Sequence, residues 1–155
     1  MDFRPGRHFL QIPGPSPVPD RVLRAMNRAV LDHRGPEFAE LGLNVLRDIK
    51  PVFGTKSHVI IFPSSGTGAW EAALVNTLSS GDKVLMFETG QFASLWLELA
   101  GKLGIEVEFV EGDWRSGVNA DQVEEKLRAD INHTYKAICI VHNETSTGVT
   151  SNVPN

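Results

Sequence analysis

One cysteine, Cys139, stands in the 155-residue sequence. No disulfide can therefore close within the chain and no four-thiolate metal site can form in it, which fits a reducing compartment such as the cytoplasm. Charge of one sign is equally scarce: 15 Lys and Arg against 19 Asp and Glu give a net charge of -4. That balance leaves no basic footprint for a nucleic-acid backbone and no basic amphipathic face for a membrane. No stretch approaches about 18 uninterrupted apolar residues. The start, Met1 to Leu10, carries Asp2, Arg4 and Arg7 with no apolar run behind them, so neither a spanning helix nor a secretory signal is expected. A nucleotide P-loop is missing too, since nothing matches GxxxxGK followed by Ser or Thr. What is there is the composition of an ordinary globular chain, 41% hydrophobic and 22% charged, of about one domain's length and rich enough in apolar residues for a sizeable core.

Between Gln11 and Asp20 the chain runs QIPGPSPVPD. Its prolines and glycine rule out regular helix and favour an extended, polyproline-like path, so residues 1–18 are expected to form an N-terminal arm. Asp20 is placed to cap a helix over about Pro19–Leu31, where Val22, Leu23, Met26, Ala29 and Val30 recur at helical spacing. A turn at His33-Arg34-Gly35-Pro36 precedes a second helix, whose stripe of Phe38, Leu41, Val45, Leu46 and Ile49 ends before Pro51. Strands and helices then alternate: HVIIF at 58–62, a helix over Thr67–Leu78, KVLMF at 83–87, a helix over Phe92–Leu103, EVEFV at 106–110, a helix over Ala120–Ala129 and AICIV at 137–141. Such a series makes an α/β fold with a mostly parallel sheet, and the short apolar runs suggest strands buried on both faces. The alternation stops after a strand and a polar turn, so the sequence reads as the front portion of a larger domain.

Three turns in this series carry chemistry. In FPSSGTGAWEAAL a run ending at Phe62 meets serine, glycine and threonine at the start of a helix. The first amides of a helix, about four of them, lack intrahelical acceptors and sit at the positive end of the macrodipole, while glycine permits close approach and hydroxyls add donors. Ser65, Gly66 and Thr67 are thus candidates for holding a phosphate; the plainer alternative is that they only cap and turn their own helix. In ETGQFASLWLEL, Phe92 opens a helix just past a strand's C-terminal end, where open α/β sheets bind ligands. Its ring suits stacking on a flat heteroaromatic group or plain packing, as Trp96 is read. In AICIVHNETSTGV a hydrophobic strand runs into His142, Asn143, Glu144, Thr145, Ser146 and Thr147, closed by Gly148. Convergence of all three turns on one sheet edge favours a ligand cleft. His142 and Glu144 would face the same way on an extended strand, but without a third ligand no metal site is expected.

The segments PGPSPVP, HRGPEF, SSGTGAWEAAL, ETGQF and VHNETSTGV resemble those of the class V pyridoxal-phosphate-dependent aminotransferases, most closely the serine–glyoxylate and alanine–glyoxylate branch. The likeness runs over essentially the whole chain. It implies an aspartate aminotransferase-like fold in which residues 19–155 are the N-terminal, incomplete portion of the large cofactor-binding domain, with the small C-terminal domain outside the sequence. It further implies that Ser65, Gly66 and Thr67 hold the phosphate of pyridoxal 5'-phosphate, that Phe92 stacks on its pyridine ring, and that the Thr145 hydroxyl approaches its phenolic oxygen. Gly14, His33 and Arg34 would lie near the substrate entrance and the subunit interface of a homodimer. Relatives of the alanine–glyoxylate kind often carry histidine where Thr67 stands and tryptophan where Phe92 stands. This chain therefore looks more like an enzyme that moves an amino group from serine, the alternative donor being alanine, to glyoxylate, with amino acids and 2-oxo acids as its substrates.

The same resemblance puts the Schiff-base lysine and the aspartate that pairs with the ring nitrogen beyond Asn155. None of the six lysines, Lys50, Lys56, Lys83, Lys102, Lys126 and Lys136, stands in the family's lysine motif. No residue here is assigned to catalysis, and the segment by itself is expected to be inactive. Other class V enzymes, such as cysteine desulfurases, differ mainly past Asn155. The rival from another class is a fragment that binds a phosphorylated small molecule or only dimerises. A peroxisomal address, in a eukaryotic protein, would also fall after Asn155.

Overall fold

A computed structural model describes residues 9–12 and 14–153, so the expected arm over 1–18 lies partly outside the described residues. The chain divides into two compact units, Met1–Pro63 and Ser64–Asn155.

In the first unit, residues 9–12 and 14–19 form neither helix nor strand, as the prolines require. Helix α1 (Asp20–Met26) starts after Pro19 and has no side-chain cap. Asp20 is its first helical residue rather than its cap, because the Pro19 carbonyl already accepts from Val22 N at 2.9 Å and Leu23 N at 3.1 Å. The expected extension to Leu31 does not form: Arg28 N turns back to Met26 O at 2.9 Å, which ends the i to i-4 ladder. Helix α2 (Pro36–Asp48) opens on a proline, where its missing N–H costs nothing, and passes into a 3-10 turn at Lys50–Phe53. Gly54 closes that turn in the left-handed region, φ 58°.

Residues 58–62, expected as a strand, belong to no strand among the described residues. An apolar run alone does not make a strand; a ladder partner must be adjacent. Ile60, Ile61 and Phe62 accordingly stay 71%, 59% and 72% exposed.

The second unit carries the sheet. Helix α3 (Gly66–Thr77) leads through the Ser80-Gly81-Asp82 turn, where Asp82 accepts from Ser79 N at 2.7 Å, into β1 (Lys83–Phe87). Then come α4 (Gln91–Lys102), β2 (Glu106–Val110), α5 (Ala120–Ala129) and β3 (Tyr135–Cys139). The strands order β2-β1-β3, all parallel, with Leu85 opposite Glu108 on one side and Ile138 on the other. A short antiparallel hairpin of β4 (Asn143–Glu144) and β5 (Val149–Thr150), not anticipated from the sequence, follows β3.

Burial on both faces holds for central β1, whose Val84, Leu85, Met86 and Phe87 are all buried, but β2 and β3 are only partly covered. The reason is position in the sheet: β1 alone has a strand on each side. Val84 and Met86 pack with Leu74 of α3, Ala100 of α4, Ile105 and Cys139, with Trp96 and Leu97 around them. Across the sheet, Lys126 of α5 reaches Glu108 at 2.9 Å, and Lys83 and Tyr135 converge on the same carboxylate. Helices thus lie on both faces, and the chain reverses its direction of travel between β1 and β3, the kind of switch point where open α/β sheets form clefts.

Candidate functional site

All three chemistry-bearing turns of the sequence fall in the second unit; Gly14, His33 and Arg34 fall in the first. Those three are exposed. Arg34 donates its amide to Asp32 Oδ1 at 3.0 Å and Gly35 N bonds Asp32 O, so the His33-Arg34 segment is at least a well-formed turn.

Ser65 precedes α3 in extended conformation, φ -103°, and its side chain caps nothing. Gly66 and Thr67 open the helix, where no preceding turn can accept from their amides, whereas Gly68 N already bonds Ser65 O at 3.0 Å. All three candidates are exposed, and a Cβ on Gly66 would meet nothing within 4 Å. By contrast a Cβ on Gly68 would come within 2.9 Å of Ser64 Cβ, so Gly68 lets Ser64 fold over the first turn. The turn offers amides, hydroxyls and room, and it contains no carboxylate.

Phe92 stands in the first turn of α4, half-buried. Its ring meets Trp70 edge-on, centroids 6.1 Å apart at 70°. Trp70, one turn past Thr67 on α3, stacks in turn on Trp96 at 5.5 Å and 20°. Aromatic contact therefore couples the helix that starts at the Ser65–Thr67 turn to the helix that carries Phe92. Trp96 serves as packing, as read.

Thr145 is exposed at the tip of the β4–β5 hairpin, beside Glu144, which is 1% exposed. Gly148, at φ 77°, closes the hairpin, its amide donating to Glu144 O at 2.8 Å. Glu144 turns back toward α4: Oε2 accepts from Ala93 N at 3.1 Å, and Oε1 from Phe92 N at 3.4 Å and from Ser146 Oγ at 2.7 Å. Ser146 Oγ accepts from Gln91 N at 3.0 Å, and Thr147 Oγ1 donates to Thr89 O at 3.2 Å. The Phe92 turn and the Thr145 turn are thus bonded to each other, and Trp70 joins the Ser65–Thr67 turn to them.

Sequence reasoning placed Ser146 only in a polar run, weighed Glu144 only beside His142, and did not single out Trp70, Gly90 or Gly68. A signal for Glu144 existed: α4 begins at Gly90-Gln91, with no side chain of its own able to cap, so its first amides had to find an acceptor elsewhere. The expectation of no metal at His142 and Glu144 concerns a pair now seen in different settings, His142 exposed and Glu144 buried. A groove of about 540 Å³ runs between α5 and residues 151–153, lined by Val123, Leu127, Ile140 and Val153. It contains none of these candidates.

Parallel strand order and helices on both faces place the chain among open α/β proteins of the doubly wound kind. More narrowly, residues 8–155 match the class V aminotransferases, and the chain belongs to that family. It is 51% identical over 151 residues to the serine–glyoxylate aminotransferase of Methylorubrum extorquens, covering 97% of this chain and 38% of that protein. Against the serine–glyoxylate aminotransferase of Arabidopsis thaliana it is 49% identical over 156 residues, 99% of this chain and 39% of that protein. The crystal structure of an alanine–glyoxylate aminotransferase from Nostoc sp. superposes with a TM-score of 0.78 at 28% identity, over 97% of this chain and 40% of that one. The chain therefore spans well under half the length of the relatives it matches.

Proposed function

We propose that this chain is the cofactor-cradling front part of a pyridoxal 5'-phosphate-dependent aminotransferase that moves an amino group from serine to glyoxylate, giving hydroxypyruvate and glycine. The observation that carries the reading is the grouping of three turns, two hydrogen-bonded to each other and the third joined to them through the Trp70 ring: a hydroxyl-bearing hairpin, an aromatic in the first turn of α4, and an uncapped helix start with room at Gly66. These residues fit a flat ring that bears a phosphate. Amides of Gly66 and Thr67 and the hydroxyls of Ser65 and Thr67 would bind the phosphate, with α3 contributing the positive end of its dipole. Phe92 would support the ring face, and Thr145 would donate to the oxygen on the ring.

Pyridoxal phosphate supplies the electron sink that stabilises negative charge at the amino acid's α carbon. The residues of this chain hold and orient it; proton transfer is left to residues past Asn155. Gly14, His33 and Arg34 are proposed to border the substrate entrance and the subunit interface of a homodimer in the cytoplasm. Identity to the two serine–glyoxylate enzymes, with Thr67 and Phe92 in place, supports serine over alanine as donor.

The test is an amino-transfer assay on the complete protein. After removal of pyridoxal phosphate, serine and glyoxylate should yield glycine only when the cofactor is restored, with serine ahead of alanine as donor. Glycine formation that ignores the cofactor, or none with either donor, would overturn the reading.

A further inference from the structure

We propose that Glu144 is the positioning residue of the cofactor cradle, its buried carboxylate holding the turn that carries Phe92 and the turn that carries Thr145 at one fixed separation. This rests on the cofactor reading above and adds to it the group that makes two loops, far apart in sequence, act as one surface.

The geometry leaves little else for this side chain to do. Glu144 is 1% exposed, and every bond its carboxylate makes goes to one of the two turns. Oε2 accepts from Ala93 N at 3.1 Å; Oε1 accepts from Phe92 N at 3.4 Å, Ser146 N at 3.1 Å and Ser146 Oγ at 2.7 Å. Four donors therefore meet two oxygens, three at Oε1 and one at Oε2, whereas an amide in this place would keep a single acceptor oxygen. Ser146 extends the clamp, since the hydroxyl that donates to Glu144 also accepts from Gln91 N at 3.0 Å.

Three successive amides of the first turn of α4 are in this way satisfied from the β4–β5 hairpin, and the negative charge sits where the helix dipole favours it. Gly90 makes the arrangement obligatory. As the residue before the helix it has no side chain to cap with, and a Cβ there would stand 2.6 Å from Glu144 Cγ and 2.7 Å from Ser146 Oγ. The backbone at 90 is bare so that Glu144 can occupy the cap position from another loop.

The carboxylate bonds of Glu144 go to residues 92, 93 and 146 and not to the Ser65–Thr67 turn. Loss of the clamp should therefore spoil the ring side of the site and spare the phosphate side. A residue that merely stabilised the fold would show no such preference.

E144Q keeps the volume but leaves one acceptor oxygen and turns an NH2 group toward amide donors. S146A is a milder second variant that removes the acceptor for Gln91 N, and it carries the same test should E144Q not fold. In the complete protein stripped of cofactor, pyridoxal phosphate is titrated, and inorganic phosphate is measured as a competitor. E144Q should weaken pyridoxal phosphate about tenfold or more and S146A about threefold, with the phosphate inhibition constant unchanged within about twofold. At saturating cofactor, the circular dichroism induced in the bound ring should fall in E144Q. Unchanged cofactor affinity, or equal weakening of pyridoxal phosphate and inorganic phosphate, would overturn the clamp while leaving the cofactor site intact. Wild-type protein that binds no pyridoxal phosphate would instead overturn the cofactor reading and the clamp with it.

Discussion

At Thr67, a hydroxyl at the head of α3 stands beside an amide with no intrahelical acceptor. If that group holds a phosphate, Thr67→Ala removes a charge-assisted hydrogen bond and should weaken pyridoxal phosphate by about 1.5–3 kcal/mol, read as a cofactor dissociation constant; an unchanged constant would remove Thr67 from the site. Cys139 makes the opposite kind of prediction. It is buried, and burial pushes its thiol up to about 11. At neutral pH the native protein should resist an aromatic disulfide reagent and react only after unfolding; rapid native labelling would show that β3 opens. At this scale the proposed site was legible where it is local. Ser65, Gly66 and Thr67, proposed to hold the phosphate, stand in consecutive letters at a helix start, and Phe92 is the aromatic that opens the helix after a strand. The bare start of α4 at Gly90 signals that an acceptor is needed, but that Glu144 supplies it was not legible, because the two amides lie 51 and 52 residues earlier and only folding brings them together.

Among elements, the helices and parallel strands of the second unit form at or close to where the sequence places them, because α3, α4 and β1 pack on one another within the chain. Elements whose partners are not supplied by neighbouring residues went astray: 58–62 reads as a strand and finds no ladder, and α1 stops at Met26 with none of its residues buried. Two changes test the packing that was found. Glu108, on β2, accepts from Lys83, Tyr135 and Lys126, and these bonds hold its carboxyl at about 2 against an ordinary 4.5. A carboxyl depressed by folding stabilises the native state above its unfolded value and loses that contribution as pH falls toward the folded one. Wild-type melting temperature should therefore drop between about pH 4.5 and 2 in part through this group, and E108Q should show a flatter profile in that window and a lower melting point at pH 7. Gly112 lies against the end of β1, where a Cβ would stand 2.1 Å from the Glu88 carbonyl oxygen. Gly112→Ala should destabilise by about 1–3 kcal/mol through overpacking. Gly101→Ala, on α4 with nothing within 4 Å, should stabilise by about 0.5–1 kcal/mol. Reversal of those two signs in thermal denaturation would contradict the packing described.

For the whole molecule, the exposed Ile60, Ile61 and Phe62 and the apolar groove of Ile140, Val123, Leu127 and Val153 are surfaces that water does not favour. The proposed enzyme is longer than this chain, and its remaining residues are expected to cover them. A dye that fluoresces on apolar surfaces should bind the 155-residue chain strongly and the complete protein weakly; equal binding would show that these surfaces stay open. Fold class was legible at this scale because the alternation of strand and helix leaves one economical topology, whereas the extent of the sheet was not, since strands supplied from elsewhere leave no mark in the sequence that needs them. The central claim is that three turns at one edge of this sheet form a single cradle for pyridoxal phosphate. Its most direct test is a crystal structure of the complete protein with that cofactor bound. The phosphate should accept from the amides of Gly66 and Thr67, the ring should lie on Phe92, and Thr145 should reach the ring oxygen; a phosphate bound elsewhere, with Gly66 and Thr67 untouched, would contradict the account.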